Sequence, residues 1–223
     1  EPGCAHFGVC GGCALQHLAP AAQVRFKQKQ LLDALQRIGG VQPGAVAPPV
    51  TGPVWGYRRR ARLGAKLVFN KDKVLVGFRE RRTHFLAELQ RCPVLDPRVG
   101  EQLETIAAAL ARTTISNRIP QIEMAAADHV CLSIRVLAPP TDGDLEVLRS
   151  LAADTGFEIR LQPGGLDSIT PLNPPEQTLA YSPDGSSLQL QFRIADFIQV
   201  NGYISQQVVR QAINWLAPVA GER

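Results

Sequence analysis

Between residues 57 and 69 the chain reads YRRRARLGAKLVF, and apolar and cationic positions alternate through it. Ala61, Leu63, Ala65, Leu67 and Phe69 fall on one side; Arg58, Arg60, Arg62 and Lys66 fall on the other. A period of two predicts a strand with one apolar and one cationic face. NKDK (70–73) reads as a turn, and VLVGF (74–78) returns as a second strand with Val74, Val76 and Phe78 on one face. A third strand is expected near 84–89. Upstream, Val24, Leu31, Leu32, Leu35 and Ile38 sit at helical spacing until Gly39-Gly40 stops the helix. A Pro- and Gly-rich connector follows over 41–54. Downstream, Asp96-Pro97 makes an N-cap and first helical position. The helix is expected to run to about Arg112, burying Val99, Leu103, Ile106 and Leu110. Strands follow around 119–125, 129–137 and 157–161, the last two separated by a helix over 142–155. A hairpin around SPDGSS pairs 177–182 with 187–194. A final helix spans about 203–216, with Ile204, Val208, Ala212 and Trp215 on one side. Strands with helices inserted between them predict an α+β fold: a mainly antiparallel sheet, flanking helices and an N-terminal Cys-rich loop. No strand is followed by a GxGxxG turn, so a complete nucleotide or S-adenosylmethionine fold is not expected.

Composition adds little to this, and charge adds more. An apolar content of 45% and a mean hydropathy of −0.04 over 223 residues describe a soluble globular chain. No apolar run approaches membrane-spanning length. The absence of a signal-like N-terminus points to the cytoplasm. A first residue Glu1, and an end soon after a helix, read as a piece of something longer. Residues 55–91 hold eleven Lys or Arg against three acids, a local +8 that leaves the rest of the chain at −4. A concentrated basic stretch is the footprint of a polyanion partner; from charge alone, a solvated surface has an equal claim.

Three of the five cysteines crowd into CAHFGVCGGC (4–13) as C-x5-C-x2-C. Without an export signal, such clustering points to metal or redox chemistry before disulfides. Gly11-Gly12 permits the tight turn through which Cys10 and Cys13 converge. Tetrahedral and cubane sites want a fourth ligand. Cys131 lies mid-strand, where a free Cys packs, whereas Cys92 precedes a proline between a strand and a helix. Cys92 is therefore preferred. Spacing alone favours a [4Fe–4S] cluster, then zinc, then disulfides or free thiols. His6 and His17 flank the loop, but four thiols already complete a site. No flavin or second-cluster motif accompanies them, so a structural staple that positions an RNA-binding surface is favoured over an electron carrier.

C-x5-CGGC-x2-QH (4–17), GYRRRARL (56–63), VGFRER (76–81), CPVL (92–95) and DFIQVN (196–201) occur in this order. Together they resemble the 23S ribosomal RNA uracil-5-methyltransferases that carry an iron–sulfur cluster, and the likeness runs over nearly the whole chain. The resemblance implies an iron–sulfur loop over 1–18 closed by Cys92. It implies a central α+β RNA-binding domain over 19–195, and a linker and helix over 196–223 leading into a methyltransferase domain. It makes Cys4, Cys10, Cys13 and Cys92 the [4Fe–4S] ligands and Gln199 a contact to S-adenosylmethionine. At Gln199 the residue pattern alone favours a capping or core role. The family's nucleophilic Cys and general-base Glu belong to a later motif that these residues do not contain. Cys131 matches neither, and residues 1–223 are expected to be inactive alone and not to bind the cofactor measurably. In the full-length enzymes a Cys thiolate adds to uracil C6, C5 takes the methyl group and a base removes the C5 proton. The implied partner is 23S rRNA, with no DNA or membrane partner and a monomeric state. Arg58, Arg60, Arg62, Lys66, Arg79, Arg81 and Arg82 are candidates for RNA contact, some pairing instead with acids such as Glu80 and Glu88. Tyr57 and Phe78 are candidates for base stacking, although Phe78 alternates with Val74 and Val76 as a core residue would. The alternatives are a transfer-RNA uracil-5-methyltransferase and a zinc- or cluster-stabilised RNA-binding module without enzyme activity.

Overall fold

In the computed structural model, which describes residues 1–219 and 221, Pro20 occupies the first turn of helix α1 (Pro20–Arg37). Its predicted apolar stripe packs weakly: no residue of α1 is buried, and Leu31 is 60% exposed. The connector then runs without regular structure to strand β1 (Arg60–Val68). Asp72, in the left-handed conformation, turns the chain into β2 (Lys73–Gly77). The strands pair antiparallel from Gly64↔Gly77 to Val68↔Lys73. Ala61, Leu63 and Ala65 point into the core as the alternation predicts. Phe69 departs from it by leaving the strand for the turn, where it is largely exposed.

The third strand expected at 84–89 does not form. The Glu80 and Ala87 amides donate to Phe85 O and Phe78 O, and only an isolated Arg79↔Leu86 bridge results. The segment instead turns inward to bury Ala87 and Leu89. Gly77, at φ 150°, makes room for it, since a Cβ there would lie 2.7 Å from Leu89 Cδ1.

The helix expected from Pro97 to Arg112 is two helices, α2 (Pro97–Gly100) and α3 (Leu103–Ala111). The break has a cause in the chain: the Gly100 carbonyl accepts from Cys92 N–H at 2.9 Å instead of continuing the helical ladder. The four apolar residues assigned to this stretch are fully buried all the same. Strands β3 (Gln121–Ala126) and β4 (Val130–Arg135) follow, then α4 (Asp142–Thr155), β5 (Glu158–Gln162) and the short β6 (Thr170–Pro171). The Thr141–Asp144 capping box starts α4, and Gly156 in the left-handed region ends it.

These strands form one sheet in the order β2-β1-β3-β4-β5-β6, antiparallel except where α4 connects the parallel pair β4–β5. Leu63, Ile122, Leu132, Ile134 and Ile159 of the sheet pack with Leu103, Ile106, Leu110, Leu148 and Leu151 of α3 and α4 in one core. A second hairpin, β7 (Leu179–Tyr181) with β8 (Leu190–Phe192), contributes to a smaller cluster. There Leu179 and Ile194 cover Ala125 and Cys131, so Cys131 packs, as its mid-strand position predicts. Asn201 caps the last helix, α5 (Gly202–Leu216). None of its residues is buried, and Trp215 of the expected apolar face is 69% exposed. The fold is α+β with a mostly antiparallel mixed sheet. Among the described residues no helix is long and apolar enough to cross a membrane.

Candidate thiol pocket and nucleic-acid interface

The N-terminal loop is a string of turns sewn to the segment that follows β2. Cys10 N–H donates to His6 O at 2.9 Å, and Gly11 N–H donates to Arg79 O at 2.9 Å. Val9 O accepts from Arg81 N–H at 2.7 Å, and Cys10 bridges Glu80. A side chain at Gly11 would put its Cβ 3.1 Å from the Arg79 carbonyl, so the loop approaches this closely only through glycine. On the facing side, Cys92 is fixed through its bond to Gly100, while Pro93 O and Val94 O accept from Gly56 and Arg58 N–H.

These two pieces of backbone bring Cys4, Cys10, Cys13 and Cys92 to one pocket, an apolar cavity of about 30 Å³ shared with His6, Phe78 and Gln16. Two of the sulfurs sit against backbone donors. Gly12 N–H points to Cys10 Sγ at 3.4 Å, and the Val94 and Leu95 amides face the Cys92 sulfur. Burial pushes the Cys10 and Cys92 thiols up, the amides oppose it, and the neighbouring cysteines add to the rise. His6 Nε2 is engaged with Gln90 N–H at 3.4 Å. Gln16 Oε1 is buried beside the thiols with no hydrogen-bond partner among the described residues. Nothing in the cysteine spacing singled out Gln16. The four thiols surround the pocket without closing on a point: among the described residues, no group of three or more His, Cys, Asp or Glu is placed to hold a single ion.

The candidate cations divide into two sets. Arg60 and Arg62 are engaged: β1 pairs with β3 so that Arg62 lies opposite Glu123. Glu123 binds Arg62 Nε and, at 3.1 Å, Arg60 Nη1, whose side chain is only 15% exposed. Glu123 is a cross-strand neighbour that no pattern local to 57–69 reveals. The acids expected to do this pair otherwise: Glu80 accepts from Thr83, and Glu88 takes Lys71 and Lys73. Arg58 lies over the Phe78 ring at 5.8 Å, and Phe78 packs against the core and the thiol pocket together. Lys66, Arg79, Arg81 and Arg82 remain exposed, with no carboxylate partner among the described residues. Gln199 is exposed and is neither cap nor core; its carbonyl accepts from Arg59 Nε at 3.0 Å.

Lys71 and Lys73, at 2.8 and 2.7 Å, hold the Glu88 carboxyl down to about 2. The stability this pairing contributes is present above the ordinary carboxylate range and is lost as pH falls toward 2. A side-chain NMR titration is expected to find the Glu88 midpoint near 2 at low ionic strength. In 1 M salt the midpoint should move toward the ordinary value, because the three groups are solvent-exposed. A midpoint above 4 at low salt would contradict the pairing.

No family model matches the chain. A protein of Alkalilimnicola ehrlichii named 23S rRNA (uracil(1939)-C(5))-methyltransferase RlmD is 47% identical over 224 residues, covering 100% of this chain and 50% of its own. The Bordetella pertussis protein of the same name is 45% identical over 217 residues, covering 96% and 47%. The chain therefore spans about half the length of the curated relatives it matches. The crystal structure of Pyrococcus abyssi tRNA (uracil-54, C5)-methyltransferase in complex with S-adenosyl-L-homocysteine aligns with a TM-score of 0.60 at 18% identity. The alignment covers 93% of this chain and 51% of that one, a likeness of fold. The resemblance read from five short motifs thus extends to every part of the sequence, and the chain is a homologue, along its whole length, of one half of the 23S rRNA (uracil-C5)-methyltransferases.

Proposed function

We propose that this chain is the [4Fe–4S]-bearing, RNA-binding part of an S-adenosylmethionine-dependent 23S rRNA uracil-5-methyltransferase working in the bacterial cytoplasm. On this reading residues 1–18 form the cluster loop, 19–195 the RNA-binding domain and 196–223 the passage toward the catalytic half. The observation that carries the proposal is the gathering of all four motif cysteines at one pocket, lined also by Arg58 and Arg91 and formed by a loop bonded to the backbone of Arg79 and Arg81. The donor set fits the group. Four thiolates in one apolar pocket repel one another and need a cationic centre to ionise together. Amides at the Cys10 and Cys92 sulfurs supply the hydrogen bonds that cluster thiolates accept. When bound, the cluster supplies cross-linking: it ties the N-terminal loop to residue 92 across the strands between.

The chain's own residues then grip and orient RNA. On this reading Lys66, Arg79, Arg81 and Arg82, which have no carboxylate partner among the described residues, track phosphates, whereas Arg60 and Arg62 are held by Glu123. Gln199 offers one exposed contact to S-adenosylmethionine, the methyl donor of the full-length enzyme. There, a Cys outside these residues adds to uracil C6, which makes C5 nucleophilic. Anaerobically purified protein is expected to be brown, with broad absorption at roughly 400 nm and bound iron and sulfide. Stoichiometric zinc in place of iron would overturn the cluster assignment. Replacing Arg79, Arg81 and Arg82 together by Gln is expected to weaken RNA binding and to lower the salt slope of log K by about 3. Arg60→Gln, measured beside it, should lower thermal stability and leave that slope within about 1 of wild type. An unchanged slope in the triple variant would move the RNA surface elsewhere.

A further inference from the structure

A second and larger recess, about 660 Å³, shares no residue with the thiol pocket. Its walls are the 53–57 end of the connector, the first turn of α5 and the β7–β8 hairpin. Its volume is that of a small-ligand site, and the cluster reading does not use it, although Tyr57 and Arg59 of GYRRRARL and Asn201 of DFIQVN line it. Trp55, Tyr57, Tyr181 and Tyr203 line it, and residues Trp55 and Tyr203 are 40% and 48% exposed.

Arg59 is fixed among them. Its guanidinium lies 4.4 Å from the centre of the Tyr181 ring, and its Nε donates to Gln199 O. Its backbone pairs with Val200 and Ala126 on either side. Tyr181 is braced in turn by an edge contact with Phe192 at 5.7 Å. Gly202 keeps the space beside Arg59 clear, since a Cβ there would stand 3.0 Å from Nη1. The remaining charges in the recess cancel or are occupied. Asp96 binds Arg98 through two bonds of 3.0 Å, and Asp128 accepts from Ala180 N–H at 3.4 Å and faces His129 at 3.1 Å.

A phosphate run calls for an excess of free cations, and this recess has none to spare beyond Arg59. It offers π-faces, one planar cation and scattered single donors and acceptors, which are the means by which an unstacked base is held. We infer that this recess binds one unstacked nucleobase of single-stranded RNA, with the Arg59–Tyr181 stack as its platform. The inference rests on the RNA-binding reading above and assigns base recognition to a place separate from the phosphate-tracking cations.

The test uses the 223-residue chain in a Trp215→Phe background. The sequence has two tryptophans, so Trp55 becomes the sole indole. Its fluorescence is followed during titration with a single-stranded RNA hexamer and with an abasic ribose-phosphate hexamer of equal charge. The RNA is expected to quench Trp55 and to bind at least about tenfold tighter than the abasic strand. Tyr181→Leu should remove most of that difference while leaving abasic binding unchanged. If thermal unfolding shows that Tyr181→Leu disturbs the hairpin, Tyr203→Ala serves as the second variant, and a twofold or larger loss of RNA affinity is expected. Equal affinity for the two strands, or variants that bind RNA as wild type does, would overturn the inference and leave the RNA-binding reading standing. No binding of either strand would overturn that reading itself.

Discussion

Cys92→Ala, purified without oxygen, is expected to lose the visible absorption and bound iron proposed for the wild-type protein, and its unfolding midpoint is expected to fall by about 10 °C. The residue lies 79 positions after Cys13. A link across such a span removes closure entropy from the unfolded chain in the way a disulfide does, worth about 4 kcal/mol. Apart from the Val94 and Leu95 amides that face its sulfur, Cys92 holds its neighbours through backbone groups. Cys92 holds Gly100 through its backbone amide, and Pro93 and Val94 hold the connector through their carbonyls. Alanine keeps these backbone bonds and loses only the amide contacts to sulfur, so the loss of colour and iron reports the missing ligand. Cys131→Ala is the matched control. That side chain is fully buried among Ala125, Leu179 and Ile194. Removing it costs about 1 kcal/mol of packing and should leave absorption and iron untouched. Full colour retained in Cys92→Ala, or colour lost in Cys131→Ala, would remove Cys92 from the ligand set.

The second large effect lies away from any metal. Arg160→Met is expected to destabilise the fold at pH 7 by about 3–5 kcal/mol, measured by urea unfolding. Arg160 and Glu158 sit on β5 with side chains 3% and 5% exposed. Arg160 gives Nε and Nη2 to the two oxygens of Glu158 at 3.0 and 2.8 Å, Nη2 also to Gln177 O at 2.7 Å, and Nη1 to Glu176. His129 and Gln177 N–H also reach Glu158, at 3.1 and 3.2 Å, and the Cys131 thiol faces it from β4. Burial alone would raise the Glu158 carboxyl; Arg160, His129 and the Gln177 amide outweigh it and hold the group below its ordinary value. In wild type, stability from this carboxylate is therefore present above the unfolded carboxylate range, about 4.3, and is lost as pH falls below it. Without Arg160 the main influence left is burial, which favours the protonated form. The variant should then recover part of its loss between pH 7 and pH 5, where wild type gains nothing. Arg160→Met with Glu158→Leu, which leaves no orphaned charge, should restore most of the stability. A pH-independent loss in the single variant would show that volume, and not charge, is what Arg160 provides.

Much of this was legible in one dimension because it depends on periodicity. The alternation in 57–69 gave β1 its faces, and the 3.6-residue repeat marked Val99, Leu103, Ile106 and Leu110 although the helix carrying them is broken. Whatever depends on a partner distant in the chain was not legible. The helix break comes from Cys92 reaching Gly100. The neutralisation of Arg60 and Arg62 comes from Glu123, brought alongside only when β3 pairs with β1. The segment at 84–89 alternates well enough for a strand, yet packing Ala87 and Leu89 inward outweighs continued pairing. At the site, cysteine spacing found four pocket-lining residues because thiol crowding is a rare local event. The Arg59–Tyr181 stack joins residues 122 positions apart, and no composition or spacing betrays such a pair.

The two residues that precede β1, Arg58 and Arg59, also have a mechanical role. Arg58 bridges Leu95 on one side and Asn201 on the other, and Arg59 N–H takes Val200 O while its carbonyl takes Ala126 N–H. Two consecutive peptide units thus fasten the thiol turn, the sheet and the start of α5 together. Asn201 is both the far end of this fastening and the cap of α5. The heading of that helix is therefore inherited from β1, as a lever takes its direction from its fulcrum. A load applied along α5 would be delivered to the backbone between the cysteine pocket and the aromatic recess, where Arg58 and Arg59 are bonded on both sides.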